Sequence, residues 1–336
     1  MAEKSRLHKL SAEGQSIWLD YLSRDILQSG ELERMMKEDA ITGVTSNPSI
    51  FQKAISSGNA YDDQLRELAE EGLDEKEMFI ALASQDVGDA CDLLRKVWDS
   101  GCRGCDGYVS IEVDPTLAYD TEETVAQAKR FHEMLDRPNL YVKIPATKPG
   151  LPAIEDMIAK GKSINVTLIF SLQRYTEVAE AYIRGLERLV AGGGDPSDTS
   201  SVASFFVSRV DTEADRRLDE IGDHDKLKGK LAIANAKLAY QRYKELFSGE
   251  RWEFLKSKGA SPQRCLWAST STKNPDYRDV MYVEELIGPD TVNTMPEETI
   301  VAFQDHGEVK SKTLEEGIDE ARQLLADLER AGVDYD

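Results

Sequence analysis

The sequence is short of everything that marks a membrane, secreted or nucleic-acid-binding chain. Its most apolar stretches, such as Ile164–Phe170, are strand-sized and fall well below the ~20 residues that a spanning helix needs, so no membrane partner is expected. The opening MAEKSRLHKLSAEGQS has no apolar core of the secretory kind, which sets the expectation of a cytoplasmic protein. Positive charge is in deficit: 41 Lys and Arg stand against 62 Asp and Glu, a formal net charge of −21. That argues against nucleic acid as a partner. A small phosphate still binds such a chain where a few Lys or Arg are concentrated. Cysteine is scarce, at four residues. Cys102 and Cys105 form a C-x-x-C, but no second close Cys/His pair follows at zinc spacing, and Cys91 and Cys265 stand alone. Reduced thiols and no metal are the expectation. His8, His132, His224 and His306 are scattered, so neither a metal cluster nor a histidine base is expected. There is no solenoid repeat, no low-complexity run and no internal linker between two composition regimes.

What is present is a recurring unit. With 336 residues and 40% hydrophobic residues, the chain can bury a substantial core. Short β-rich runs occur at 17–21, 40–45, 107–113, 140–145, 163–170, 202–207, 264–269 and 291–295. Helical patterns lie between them, including 75–98, 121–135, 172–190 and 226–247, and AGGGDPSDTSS at 191–201 is the clearest loop. Eight strands alternating with helices predict a (β/α)8 barrel, one domain over 1–336 with additional helices at both ends. The rival is a doubly wound open sheet. That fold usually carries a Gly-rich turn after its first strand, and here Asp20-Tyr-Leu-Ser-Arg follows instead. An apolar stripe of Leu314, Ile318, Ala321, Leu324, Leu325 and Leu328 predicts a C-terminal helix. It docks on its own barrel or serves a dimer, so a monomer or a homodimer is expected.

The strands carry the functional signal, because successive residues point to opposite faces. In 141–145 (YVKIP), Val142 and Ile144 share the helix-facing side, which turns Lys143 inward. In 109–113 (VSIEV), the apolar set faces out and Ser110 and Glu112 face in. The same alternation over 164–168 (INVTL) sends Ile164, Val166 and Leu168 outward and leaves Asn165 and Thr167 inside. Ile17, Leu19 and Tyr21 oppose Trp18 and Asp20, and Ser204 and Phe206 share the inner face of strand six. Asp20, Glu112 and Lys143 thus meet inside the barrel, towards the strand ends where such folds build active sites. Buried charge is expensive, so this set either fixes register as an ion-pair network or performs chemistry. An amine in a desolvated site attacks a carbonyl carbon once neutral, and carboxylates beside it move protons. One amine, two carboxylates and no metal-ligand cluster point to a Schiff base.

Five motifs, in order from strand two to strand seven, resemble the transaldolase family. They are Thr42–Ser49 (TGVTSNPS), Tyr141–Thr147 (YVKIPAT), Gly161–Ser171 (GKSINVTLIFS), Val202–Asp211 (VASFFVSRVD) and Leu266–Pro275 (LWASTSTKNP). The chain looks most like the bacterial branch that occurs alone or fused to glucose-6-phosphate isomerase. The resemblance implies a class I aldolase-like (β/α)8 barrel without a cofactor. It also implies transfer of a dihydroxyacetone unit in the non-oxidative pentose phosphate pathway. Donors would be sedoheptulose 7-phosphate or fructose 6-phosphate, and acceptors glyceraldehyde 3-phosphate or erythrose 4-phosphate. Lys143 matches the Schiff-base position, Glu112 and Thr167 the pair that positions a water, and Asp20 the acid/base on the donor hydroxyl. Thr45, Asn47, Asn165, Ser204 and Phe206 match residues around the dihydroxyacetone unit, and Arg209 and Ser269 match phosphate contacts. The better-known branch has an Arg shortly after the position of Ser269. Here Lys273 is the nearest cation, either the second phosphate ligand or a solvated loop lysine. An aldolase that releases dihydroxyacetone is the nearest rival, and a non-catalytic sugar-phosphate-binding barrel the rival from another class.

Overall fold

In the computed structural model, which describes residues 5–100 and 104–335, eight parallel strands close into a barrel in sequence order. They are β1 (Gln15–Leu19), β2 (Ile41–Val44), β3 (Val109–Glu112), β4 (Leu140–Pro145), β5 (Ile164–Ile169), β6 (Ser201–Phe206), β7 (Arg264–Ala268) and β8 (Thr291–Met295). β1 pairs with both β2 and β8, which closes the ring and excludes the open sheet. The helices at Arg6–Ala12 and Ile318–Ala331 are the additions expected at the two ends. Among the described residues, no helix is long and apolar enough to cross a membrane.

Alternation along the strands builds two cores. Outward residues, among them Ile17, Leu19, Val109, Ile111, Val142, Ile144, Ala203 and Trp267, join the helices in one large apolar layer. Inward residues Trp18, Tyr108, Tyr141, Val202, Leu266 and Val292 form a separate plug inside the barrel. Tyr108 and Tyr141 stack at 4.0 Å between ring centroids, and Trp18 leans on both. Gly43 makes room for this plug, since a Cβ there would come within 2.5 Å of the Trp18 ring. The plug fills the barrel interior, and above it a cavity opens at the C-terminal ends of the strands.

Four sequence readings need correction. Leu168 does not continue the outward face of β5. Its φ is +61°, the register with β6 shifts between Val166 and Ile169, and Leu168 turns to the barrel mouth while Ile169 enters the core. The helix read over 226–247 is broken: a 3-10 turn at Asp225–Leu227 is followed by a helix only from Leu231 to Leu246. Gly229 lies between them at φ +67°, its N–H held 2.9 Å from Asp215 Oδ1. Leu314 sits in a 3-10 turn, separated from the last helix by Gly317 in the left-handed region. The helix itself docks on its own barrel: Ala321 packs with Ala234 and Leu238, and Leu328 with Leu218 and Leu231. Cys91 and Cys265 are free and buried, whereas Cys105 is disulfide-bonded, against the reduced reading. Cys102 lies outside the described residues.

Candidate active site

A cavity of about 570 Å³ opens at the C-terminal end of the barrel. Asp20, Thr45, Asn47, Glu112, Lys143, Thr167, Ser204, Phe206, Arg209, Ser269 and Lys273, each singled out in the sequence, all line it. Asn165 does not. It is fully buried, its amide Nδ2 donating to Ser110 Oγ at 3.1 Å and its Oδ1 accepting from Ser204 Oγ at 2.7 Å. Its Oδ1 thus holds the hydroxyl of Ser204, which lines the cavity.

The floor is built from register neighbours. Glu112 on β3 pairs with Lys143 on β4, and Lys143 in turn with Asn165 on β5. Side chains of register partners lie on the same face, so β3 and β4 present a carboxylate and an amine side by side. Lys143 Nζ is 2.9 Å from Glu112 Oε2 and donates to the Ser46 carbonyl at 3.0 Å. These two contacts make its burial tolerable, because a buried charge needs both a partner and hydrogen bonds. Ser46 is itself fixed, its Oγ donating to the Ser110 carbonyl at 2.6 Å. Thr167 reaches the same floor from the end of β5, since the backbone turn at Leu168 ends the strand's outward alternation just after it.

Asp20 approaches from the opposite wall. Its amide donates to the Met295 carbonyl at 2.8 Å, which anchors it just beyond β1. Its Oδ1 accepts from Thr45 Oγ at 2.7 Å, and Thr45 Oγ lies 2.6 Å from Thr294 Oγ. Burial pushes the Asp20 carboxyl above its usual range. Lys143 and the Thr45 hydroxyl pull it back, while Glu112 and Glu298 add to the rise. A carboxyl poised above the ordinary range accepts and returns a proton nearer neutrality than an exposed Asp does.

The far rim is cationic. Arg209 is the second residue of the helix Ser208–Ile221, and its guanidinium lies 5.0 Å over the Phe206 ring. Ser269 has φ +57° and lies across from it, Ser208 Oγ and Ser269 Oγ being 2.8 Å apart. Lys273 is exposed, with Nζ donating to Ser271 Oγ at 2.8 Å. Neither Arg209 nor Lys273 makes an ion pair among the described residues. Sequence reading missed Thr294, Lys53 and Glu298 on the lining and Ser46 behind it. Thr294 could have been found, since it alternates with Asn293 on β8. The Ser46 contribution is a backbone carbonyl and leaves no mark in side-chain patterning. Among the described residues, no group of three or more His, Cys, Asp or Glu is arranged to hold a metal.

The arrangement can hold a carbonyl compound between one amine and two carboxylates and grip an anion at the rim. The family model described as Transaldolase/Fructose-6-phosphate aldolase matches residues 17–336. A protein named Transaldolase from Frankia alni is 54% identical over 332 residues, covering 98% of this chain and 89% of its own length. Transaldolase 1 of Streptomyces avermitilis is 54% identical, over 98% of this chain and 88% of its own. A Transaldolase of Mycobacterium ulcerans is 51% identical over 336 residues, 99% of this chain and 90% of its own.

Proposed function

The chain belongs to the transaldolase/fructose-6-phosphate aldolase family and functions as a transaldolase, a transferase, and we propose that it works through a Schiff base on Lys143. The observation that carries this reading is the Lys143–Glu112 contact of 2.9 Å at the floor of the cavity that Asp20 also lines.

The steps follow from what each group can reach. Lys143 Nζ adds to the ketose C2 carbonyl, and the oxygen leaves as water, giving a protonated imine. Glu112 beside Nζ, with Thr167, positions the water and carries these protons. Asp20 then takes the proton from the C4 hydroxyl. The C3–C4 bond breaks, its electron pair moves into the imine to form an enamine, and an aldose leaves. The enamine carbon next attacks an acceptor aldehyde, Asp20 returns the proton to the new hydroxyl, and water releases the product ketose. Arg209, Ser269 and Lys273 grip the substrate phosphate, Ser204 and Asn47 the hydroxyls of the retained unit, and Asn165 supports Ser204. Residues 1–336 act as one catalytic unit in the cytoplasm, as a monomer or homodimer, in the non-oxidative pentose phosphate pathway.

Product analysis tests transfer against release. Fructose 6-phosphate with erythrose 4-phosphate should give sedoheptulose 7-phosphate and glyceraldehyde 3-phosphate. Without acceptor, free dihydroxyacetone should not accumulate. Multiple turnovers of free dihydroxyacetone in the absence of acceptor would make the enzyme a lyase.

A further inference from the structure

We propose that Tyr335 is a positioning residue for phosphorylated substrates, clamping with Asn235 the rim segment Phe170–Leu172 on which the phosphate corner leans. The Tyr335 hydroxyl accepts from the Leu172 N–H at 3.0 Å and donates to Asn235 Oδ1 at 2.5 Å. Asn235 is fully buried, and its Nδ2 donates to the Phe170 carbonyl at 2.8 Å. Two side chains thus hold the backbone on both sides of Ser171, which caps the helix Leu172–Ala191.

This segment needs such holding. Leu168, two residues upstream, lines the cavity in the left-handed backbone region. A bulky residue stays there only where its surroundings over-determine it. From the clamped segment the Phe170 ring packs on Phe206, 5.3 Å between centroids, and Phe206 lies beneath the Arg209 guanidinium. Val333 anchors the segment that carries Tyr335, packing with Ala214 and Leu218 of the helix that bears Arg209. Arg217 of the same helix donates to the Asp334 carbonyl at 3.3 Å. Tyr335 therefore ties together the two elements, the Phe170 rim and the Arg209 helix, whose separation sets where a phosphate sits. The hydrogen bonds given above run to Leu172 and Asn235, not to Lys143, Glu112 or Asp20, so its effect should be confined to the phosphate end.

The proposal rests on the reading of Arg209 as a phosphate ligand. The test uses the full chain with Tyr335→Phe, which removes only the hydroxyl, and Asn235→Ala. For each, kcat and KM are measured with fructose 6-phosphate and with fructose, and adducts at Lys143 are trapped with borohydride and dihydroxyacetone. Tyr335→Phe should raise KM for fructose 6-phosphate roughly tenfold, part of the ~100-fold that a misplacement of about an ångström can cost. Its kcat, its KM for fructose and its trapping should stay within about twofold. Asn235→Ala should act in the same direction, and the double variant should add little to either alone. The ratio of the two substrates is internal to each variant, so a lowered folded fraction cancels. A wild-type ratio in Tyr335→Phe, or an equal loss on both substrates, would overturn the clamp. Failure of the wild-type chain to be trapped at Lys143 would instead sink the transfer reading, and the clamp with it.

Discussion

Glu112 and Lys143 are register partners on adjacent strands, and their charged ends meet at 2.9 Å above an aromatic plug. The strand pairing itself sets the amine beside the carboxylate. Glu112→Gln keeps the shape and removes the charge. Imine formation should slow by ~10²–10⁴-fold, the range for a positioned acid/base. Rapid-quench trapping with borohydride measures this, and an unchanged trapping rate would remove Glu112 from the proton path.

Asp20 is assigned to the bond-breaking step, so Asp20→Asn should separate imine formation from cleavage. Trapped adduct should persist while transfer falls by ~10²-fold or more. Loss of trapping as complete as in Lys143→Ala would contradict this division of roles.

The sign of the Asp20 shift gives a pH prediction. Burial raises its pKa, and the Thr45 hydroxyl at 2.7 Å holds the rise in check by favouring the carboxylate. Where cleavage limits the rate, the acid limb of kcat should lie above the ordinary Asp range. Thr45→Val removes the donor and should move that limb to higher pH. A limb that moves down or stays put would show that another group controls it.

His132 offers a test of the fold rather than the site. It is buried, with Nε2 3.1 Å from the Ser163 carbonyl, and burial together with Lys162 lowers its pKa from 6.5 to about 4. A lowered histidine is neutral in the folded chain and binds a proton more readily unfolded. Stability is therefore full above about 6.5 and is lost as pH falls towards about 4, by up to ~3 kcal/mol. Asp211 works in the opposite sense over an overlapping window, since burial raises its pKa to about 6. The measurement is thus a difference: His132→Gln should lose less stability than wild type between pH 7 and pH 4.5. Identical urea midpoints at both pH values would contradict it.

Much of this could be read before folding. The strands were legible because each β residue faces either helices or interior, so Lys143 between Val142 and Ile144, and Glu112 between Ile111 and Val113, stood out as inward polar groups. Leu168 was misread because a positive φ leaves no trace in hydrophobic alternation. Asn165 was placed on the inward face by alternation, but its hydrogen bonds to Ser110 and Ser204 leave no mark in that pattern. The break at Gly229 was missed because helical patterns continue on either side, and only the Asp215 hydrogen bond and the left-handed turn separate them. Tyr335 was invisible as a partner of Leu172, which is distant in sequence and meets it only in the folded barrel.

At the rim, Arg209 offers a fork to phosphate oxygens and Lys273 a point charge. Arg209→Ala should raise KM for phosphorylated donors more than Lys273→Ala does, and should barely affect fructose. Specificity constants for the two substrates give the ratio. A wild-type ratio in Arg209→Ala would place the phosphate elsewhere.

The nucleophile itself is open to the most direct test. The protein is mixed with fructose 6-phosphate, reduced with borohydride, digested and mapped by mass spectrometry. A reduced dihydroxyacetone adduct should appear on the peptide carrying Lys143, and Lys143→Ala should abolish it while remaining folded. An adduct on any other lysine, or none on a chain that still transfers, would contradict Schiff-base catalysis at Lys143.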